Sequence, residues 1–139
     1  MNIILCLDNN NGMMFNKRRQ SQDKNLRENI KELTKNNFLH MNIYSYNLYK
    51  DIDNNNIIVS DDFLDDYKEN DFYLVENTSL IPYYNKINEL IIYRWNRDYP
   101  SDSIFDDKFL NNNFKLIETI NFKGISHDKI TRDIFRRFT

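Results

Sequence analysis

Apolar residues come in short bursts along this chain, separated by polar turns, and their spacing changes from burst to burst. The first, Ile3-Ile4-Leu5-Cys6-Leu7, predicts a buried strand that stops at the turn signal Asp8-Asn9-Asn10-Asn11-Gly12. A polar-tipped loop over 13–22 follows, hinged on Met13, Met14 and Phe15. Leu26, Ile30 and Leu33 then recur at helical spacing, so 23–34 predicts a helix that Ser21 or Asp23 can cap. Phe38 to Met41 predicts a brief strand, Tyr44 to Tyr49 a short helix, and Ile57-Ile58-Val59 a β-branched strand. The acidic stretch 60–70 has room for a single helical turn around Phe63, Leu64 and Tyr67. Phe72 to Val75 predicts a further strand, and Thr78 to Asn88 a helix with Pro82 in its first turn.

The continuous run Leu90-Ile91-Ile92 gives a strand over 90–95 buried on both faces. Phe114 to Phe122 alternates, with Phe114, Leu116, Ile120 and Phe122 on one face, and Gly124 breaks it. The last stretch, 128–138, reads two ways. Ile130, Ile134, Phe135 and Phe138 fit a helical stripe better than a strand, which would set Arg132 and Arg136 beside the isoleucines. Strands alternating with short helices, without repeats or linkers, predict an α/β layer structure.

Composition narrows the class. The chain's 139 residues suit one domain, and 40% apolar with 14% aromatic content excludes wholesale disorder. A net charge of −2 excludes a basic field over the whole molecule. The lone Cys6 lies inside an apolar run and reads as a buried thiol in a reducing compartment. No signal peptide opens the chain and no run is long enough to span a bilayer, so a cytoplasmic protein is expected. Asparagine runs at 9–11, 54–56 and 111–113 mark turns.

The strongest candidate for chemistry is Asn16 to Asp23. Arg18 and Arg19 offer paired donor forks suited to phosphate or carboxylate, and Gln20 and Gln22 can read amide or base edges. A basic triplet on a loop is ordinarily a solvated surface, but the Met-Met-Phe hinge ties this one inward. Arg94, Trp95 and Arg97 interleave cations with an aromatic ring, a pattern that can stack bases, although Trp95 could equally pack on the core. His40, in an apolar strand, reads as a satisfied core residue, and His127 as a turn residue. Two histidines and one cysteine leave no metal-ligand cluster, so no metal is expected. With only Gly12 and Gly124, there is no phosphate loop, dinucleotide fingerprint or nucleophile elbow.

The order of pieces resembles the dihydrofolate reductase fold family. The opening strand with its Asp…Asn-Gly turn is similar to that family's start, and 13–22 takes the place of its mobile loop. Leu26 to Thr34 resembles its folate-side helix, Phe38 to Met41 the strand after it, and Asn56-Ile57-Ile58-Val59-Ser60 its asparagine-isoleucine-valine-leucine-serine strand. Leu90 to Tyr93, Asp102 to Phe105 and Ser126-His127 resemble later pieces. The resemblance implies a single domain: a central sheet flanked by short helices, with the adenosine-binding segment between Ser60 and Phe72 shortened and the C-terminus helical or stranded.

The departures from the family bear on function. The position of the pterin-holding carboxylate falls on Leu26, with Asp23 one turn earlier. The glycine-arginine-x-threonine phosphate site falls on Asn42-Ile43-Tyr44-Ser45, which keeps a capping hydroxyl and loses the arginine. The paired glycines that admit the cofactor pyrophosphate fall on Val75-Glu76, where a side chain and a negative charge oppose phosphate. No arginine follows Tyr49 to clamp a glutamate tail. Folate reduction with NADPH is therefore not expected, and no cofactor is assigned. Three readings stay open. The first is a binding or regulatory protein that recognises an anionic or nucleotide-like ligand, or a protein partner, through Arg18, Arg19, Gln20, Gln22, Asp23, Tyr44 and Ser45. The second is a metal-independent enzyme acting on nucleotides or RNA, with Arg18 and Arg19 stabilising charge and Asp23 or Glu76 as the acid–base group. The third is an RNA-binding protein using Arg94, Trp95 and Arg97.

Overall fold

The computed structural model describes residues 1–65 and 67–139. In chain order its elements are β1 (Asn2–Leu7), β2 (Gly12–Phe15), β3 (Arg18–Arg19), α1 (Lys24–Thr34), β4 (Leu39–Met41), α2 (Ile43–Tyr49), β5 (Ile57–Val59), β6 (Phe72–Leu74), β7 (Glu89–Arg94), β8 (Ser103–Ile104), α3 (Asp107–Asn113), β9 (Phe114–Phe122) and β10 (Ile130–Arg137). Seven strands form one sheet in the order β5-β4-β6-β1-β7-β10-β9. The five from β5 to β7 run parallel, and β10 pairs antiparallel with both β7 and β9. Three short strands, β3-β2-β8, make a small second sheet.

The alternation of β1 sorts the core into two layers. Ile3, Leu5 and Leu7 face one layer with Tyr73, Leu90, Ile92, Phe105 and Phe114, while Ile4 faces the other with Leu26, Ile30, Tyr49, Ile91 and Trp95. The apolar stripe of α1 is what covers the second layer: Leu26 and Ile30 are buried, and Lys24, Glu28 and Lys31 are not. The expected turn around Phe63, Leu64 and Tyr67 spans Asp66, which lies outside the described residues. Phe63 and Leu64 themselves are buried in the first layer.

Residues 130–137 are a strand, not the helix that their local pattern favours. Arg132 does lie on the face of Ile130 and Ile134, and that face tolerates it because its guanidinium bonds Asn29 Oδ1 at 3.2 Å and pairs with Glu118. Pairing with two neighbouring strands outweighs the helical stripe. A β-bulge also upsets the expected single face of 114–122: Ile134 and Phe135 oppose Glu118 and Leu116, leaving Ile117 unmatched. Phe114 therefore packs in the first layer and Phe122 against the second. Residues 78–88 hold only a 3₁₀ turn, Ile81–Lys86, with buried Leu80 and Ile87 on either side of it.

Residues 13–22 are not an open loop either. β2 and β3 form a hairpin whose two-residue turn, Asn16-Lys17, has φ of 54° and 62°. Positive φ at both places is what the type I′ hairpin turn demands, and asparagine meets it far more easily than lysine. Of the five residues with positive φ among the described residues, the other four are asparagines: Asn11, Asn16, Asn55 and Asn96. In a chain with two glycines, asparagine takes over the left-handed positions. Lys17→Gly is accordingly expected to raise stability by about 0.5–1 kcal/mol, seen as a higher urea midpoint at unchanged slope.

Candidate functional site

In a parallel sheet the loops that can hold a ligand leave the carboxyl ends of the strands, where the strand order reverses. Here the reversal falls at β1, with β6 on one side and β7 on the other. Beyond these ends lie Asp8 after β1, Asn42 after β4, Glu76 after β6 and Trp95 after β7, and the β2–β3 hairpin crosses over them.

Asp8 pins the start of that hairpin. It is fully buried, and its carboxylate accepts from the N–H of Asn10 and Gly12 at 2.8 Å each, from Gln20 Nε2 at 3.1 Å and from the N–H of Tyr99 at 3.1 Å. Burial works against its charge, but these donors outweigh it and hold the carboxyl below its ordinary range. Gly12 has no room for a side chain, since a Cβ would come within 2.5 Å of Gln20 Nε2. Arg94 reaches back to the same turn, bonding Asn11 Oδ1 at 2.6 Å.

The two arginines of the hairpin part company. Arg18 faces solvent, whereas Arg19 turns inward and grips Glu76 through both Nε at 2.9 Å and Nη2 at 3.0 Å. The Arg19 guanidinium also lies 4.5 Å above the Tyr44 ring, and the Arg19 backbone N–H donates to the Tyr44 hydroxyl at 2.9 Å. Ser45 Oγ donates to Glu76 Oε1 at 2.9 Å. The capping of α2 belongs to Asn42, whose Oδ1 accepts from the Ser45 N–H at 3.0 Å. Arg19, Tyr44 and Ser45 are thus brought together, but around an internal carboxylate. Cys6 lies beneath them near Tyr49, and burial first, then the Glu76 charge, pushes its thiol up to about 12.

Gln22 and Asp23 lie elsewhere. Gln22 Oε1 accepts from Arg27 Nη1 at 2.6 Å, and Arg27 in turn pairs with Asp51 at 3.0 Å. Asp23 caps α1, accepting from the Asn25 N–H at 2.9 Å, and is buried against the turn after β9. There it accepts from the N–H of Ile125 at 3.0 Å and of Ser126 at 2.9 Å, and bonds His127 Nδ1 at 2.9 Å. A carboxylate so enclosed has no free face toward a ligand, which removes Asp23 from the role of acid–base group in direct contact with substrate.

The sequence concealed the setting of His127, because Asp23 and Ser21 lie 104 and 106 positions earlier. His127 Nε2 faces Ser21 Oγ at 3.0 Å and the Tyr99 hydroxyl at 3.2 Å, and Trp95 stacks on its ring at 4.7 Å. Trp95 is therefore spent on the core side and offers no open face to a base. Arg94 is half-buried, and Arg97, though exposed, is latched to the Ser126 carbonyl at 2.9 Å. These three do not form one exposed platform. His40 is the satisfied core residue that its surroundings imply, bonded to Asp71 at 2.8 Å and stacked on Tyr73.

Between the hairpin and the opposite loops runs a cleft of about 370 Å³ lined by Met14, Lys17, Asn77, Asp102 and Ser103. Asn77 and Ser103 are shared with a neighbouring hollow of about 340 Å³ that reaches Met13, Leu80 and Phe105. Another cleft, about 720 Å³, lies at the far sheet edge around Phe38, His40 and Ile58.

No protein-family model matches the chain, nor does any curated protein sequence. Among solved structures, dihydrofolate reductase from Enterococcus faecalis, complexed with NADP(H) and RAB-propyl, aligns with 99% of this chain and 96% of its own at a TM-score of 0.64 and 13% identity. The fold is that of dihydrofolate reductase. On this dihydrofolate reductase fold, the position that the sequence resemblance gives to the paired glycines carries the Glu76 side chain, clasped by Arg19 and Ser45. Among the described residues no helix is long and apolar enough to cross a membrane.

Proposed function

We propose that this chain is a binding protein on a dihydrofolate reductase fold whose cofactor cradle has been converted into an internal ion pair. It takes a small anionic or nucleotide-like ligand at the cleft beside the hairpin. The observation that carries the reading is the strained Asn16-Lys17 turn, which holds an exposed lysine at the lining of that cleft and Arg18 beside it. Backbone strain of this kind persists where surrounding structure enforces it, and it concentrates at ligand-holding loops. Met13 and Met14 supply adaptable apolar walls, Asn77 and Ser103 supply polar groups to orient the ligand, and Asp102 in the same lining is occupied by the Asn16 N–H at 3.0 Å.

Differential scanning fluorimetry tests the reading. A nucleoside phosphate at about ten times its dissociation constant should stabilise the fold by about 1.4 kcal/mol, a rise in Tm of about 3–6 °C for a domain of this size. The rise should disappear in Lys17→Ala/Arg18→Ala. NADPH and dihydrofolate should give no shift and no turnover. Stabilisation by NADPH with consumption of dihydrofolate would instead return the chain to its fold-mates' chemistry.

A further inference from the structure

The contacts of His127 have a direction. Asp23 holds Nδ1 at 2.9 Å, and a hydroxyl, Ser21 Oγ, stands at Nε2 at 3.0 Å. A carboxylate on one ring nitrogen fixes the proton there and leaves the other free to accept one, so the imidazole is set as a base toward Ser21. The rest of the neighbourhood supports that order. Asp23 is fixed by three backbone N–H groups from both sides, and Gly124 makes room for it, since a Cβ there would come within 2.5 Å of Asp23 Oδ2. Trp95 covers one ring face. Ser21 itself is half-buried, in contrast to His127 and Asp23, which are buried. Tyr99 places a hydroxyl 3.4 Å from Ser21 Oγ as a nearby donor.

We propose that Ser21 is a nucleophile activated by His127, with Asp23 as the positioning residue, and that the site accepts the acyl group of a small carboxylic ester. In the first step the Ser21 Oγ–H bond breaks and its proton moves to His127 Nε2, while Oγ bonds the ester carbonyl carbon. The bond from that carbon to the alkoxy oxygen then breaks, and His127 Nε2 returns the proton to the departing alcohol. Water repeats the sequence on the acyl-serine, with His127 taking its proton, and releases the carboxylic acid. The balance needs only ester and water. The Tyr99 hydroxyl, 3.2 Å from His127 Nε2 and 3.4 Å from Ser21 Oγ, stands beside both reacting groups and supplies an O–H donor there.

A fluorophosphonate probe, which reacts with activated serines and loses fluoride, tests this on the full chain by intact mass and peptide mapping. One adduct on Ser21 is expected, absent in Ser21→Ala and formed at least about 100-fold more slowly in His127→Gln. Hydrolysis of p-nitrophenyl acetate should fall in parallel. Because His127 is buried and its replacement could unfold the chain, Tyr99→Phe serves as the second variant. It keeps the ring and should slow ester hydrolysis about tenfold, more through kcat than KM, at an unchanged circular dichroism spectrum. No adduct on the folded wild-type chain, an adduct on another residue, or an equal labelling rate in folded His127→Gln would overturn the proposal.

Discussion

Replacing Asp23 with asparagine will cost the fold about 3–5 kcal/mol, a large share of the 5–15 kcal/mol that holds a domain of this kind together. The carboxylate accepts from Asn25, Ile125 and Ser126 backbone N–H groups, from Ser126 Oγ and from His127 Nδ1. An amide can reproduce the acceptor at Oδ1, but at Oδ2 it sets its own N–H₂ against three donors, the Ser126 N–H and Oγ and the buried His127 Nδ1. The start of α1 and the turn joining β9 to β10 are both tied to this one group, so both loosen together. The effect has a pH signature. Burial pushes the Asp23 carboxyl up, yet the His127 bond and the Ser126, Ile125 and Asn25 N–H groups outweigh it and hold it well below the usual carboxylate range. In the unfolded chain the same group takes its proton near about pH 4. Below that pH the unfolded state binds more protons than the folded one, so stability is full above about pH 5 and is lost as the solution is acidified. Asp8 acts in the same direction. Urea titrations from pH 3 to 7 should show a steep acid limb in the wild type and a shallower one in Asp23→Asn. Parallel curves would mean that the acid sensitivity comes from elsewhere.

What the sequence reveals of this molecule follows the range of the interactions. The apolar run of β1, the stripe of α1 and the Leu90-Ile91-Ile92 strand are local patterns, and each appears where its period places it. The β2–β3 hairpin was hidden because its turn is Asn-Lys rather than Asn-Gly, so a lysine occupies a place where glycine would have announced it. β10 was hidden for another reason: Arg132 and Arg136 are accommodated on a strand through Asn29, Glu118 and Glu89, none of them a sequence neighbour. The candidate site divides in the same way. Arg19, Tyr44 and Ser45 do converge, but the carboxylate that gathers them is 57 residues from Arg19 along the chain. His127 was legible only as a turn residue, since Asp23 is 104 residues away and Ser21 is 106.

The Arg19–Glu76 pair offers the second large effect, and it separates a buried charge from a structural need. Glu76 is nearly inaccessible, while Arg19 keeps about a quarter of its side chain in solvent. Arg19→Met leaves a carboxylate in the interior with only the Ser45 hydroxyl to answer it, and is expected to lose about 3 kcal/mol. Glu76→Leu strands a guanidinium that can still swing toward water, so its loss should be smaller, about 1–2 kcal/mol. The double variant removes both charges and replaces them with apolar volume against Tyr44 and Cys6. It should therefore recover most of the loss, giving a coupling energy of about 2 kcal/mol between the two sites by chemical denaturation. An additive double variant would mean that the two ends of the pair act separately and that the cradle is filled for reasons of shape. Strong coupling would mean that each charge is retained because the other is there, so that recovering a phosphate site on this fold requires changing both residues at once.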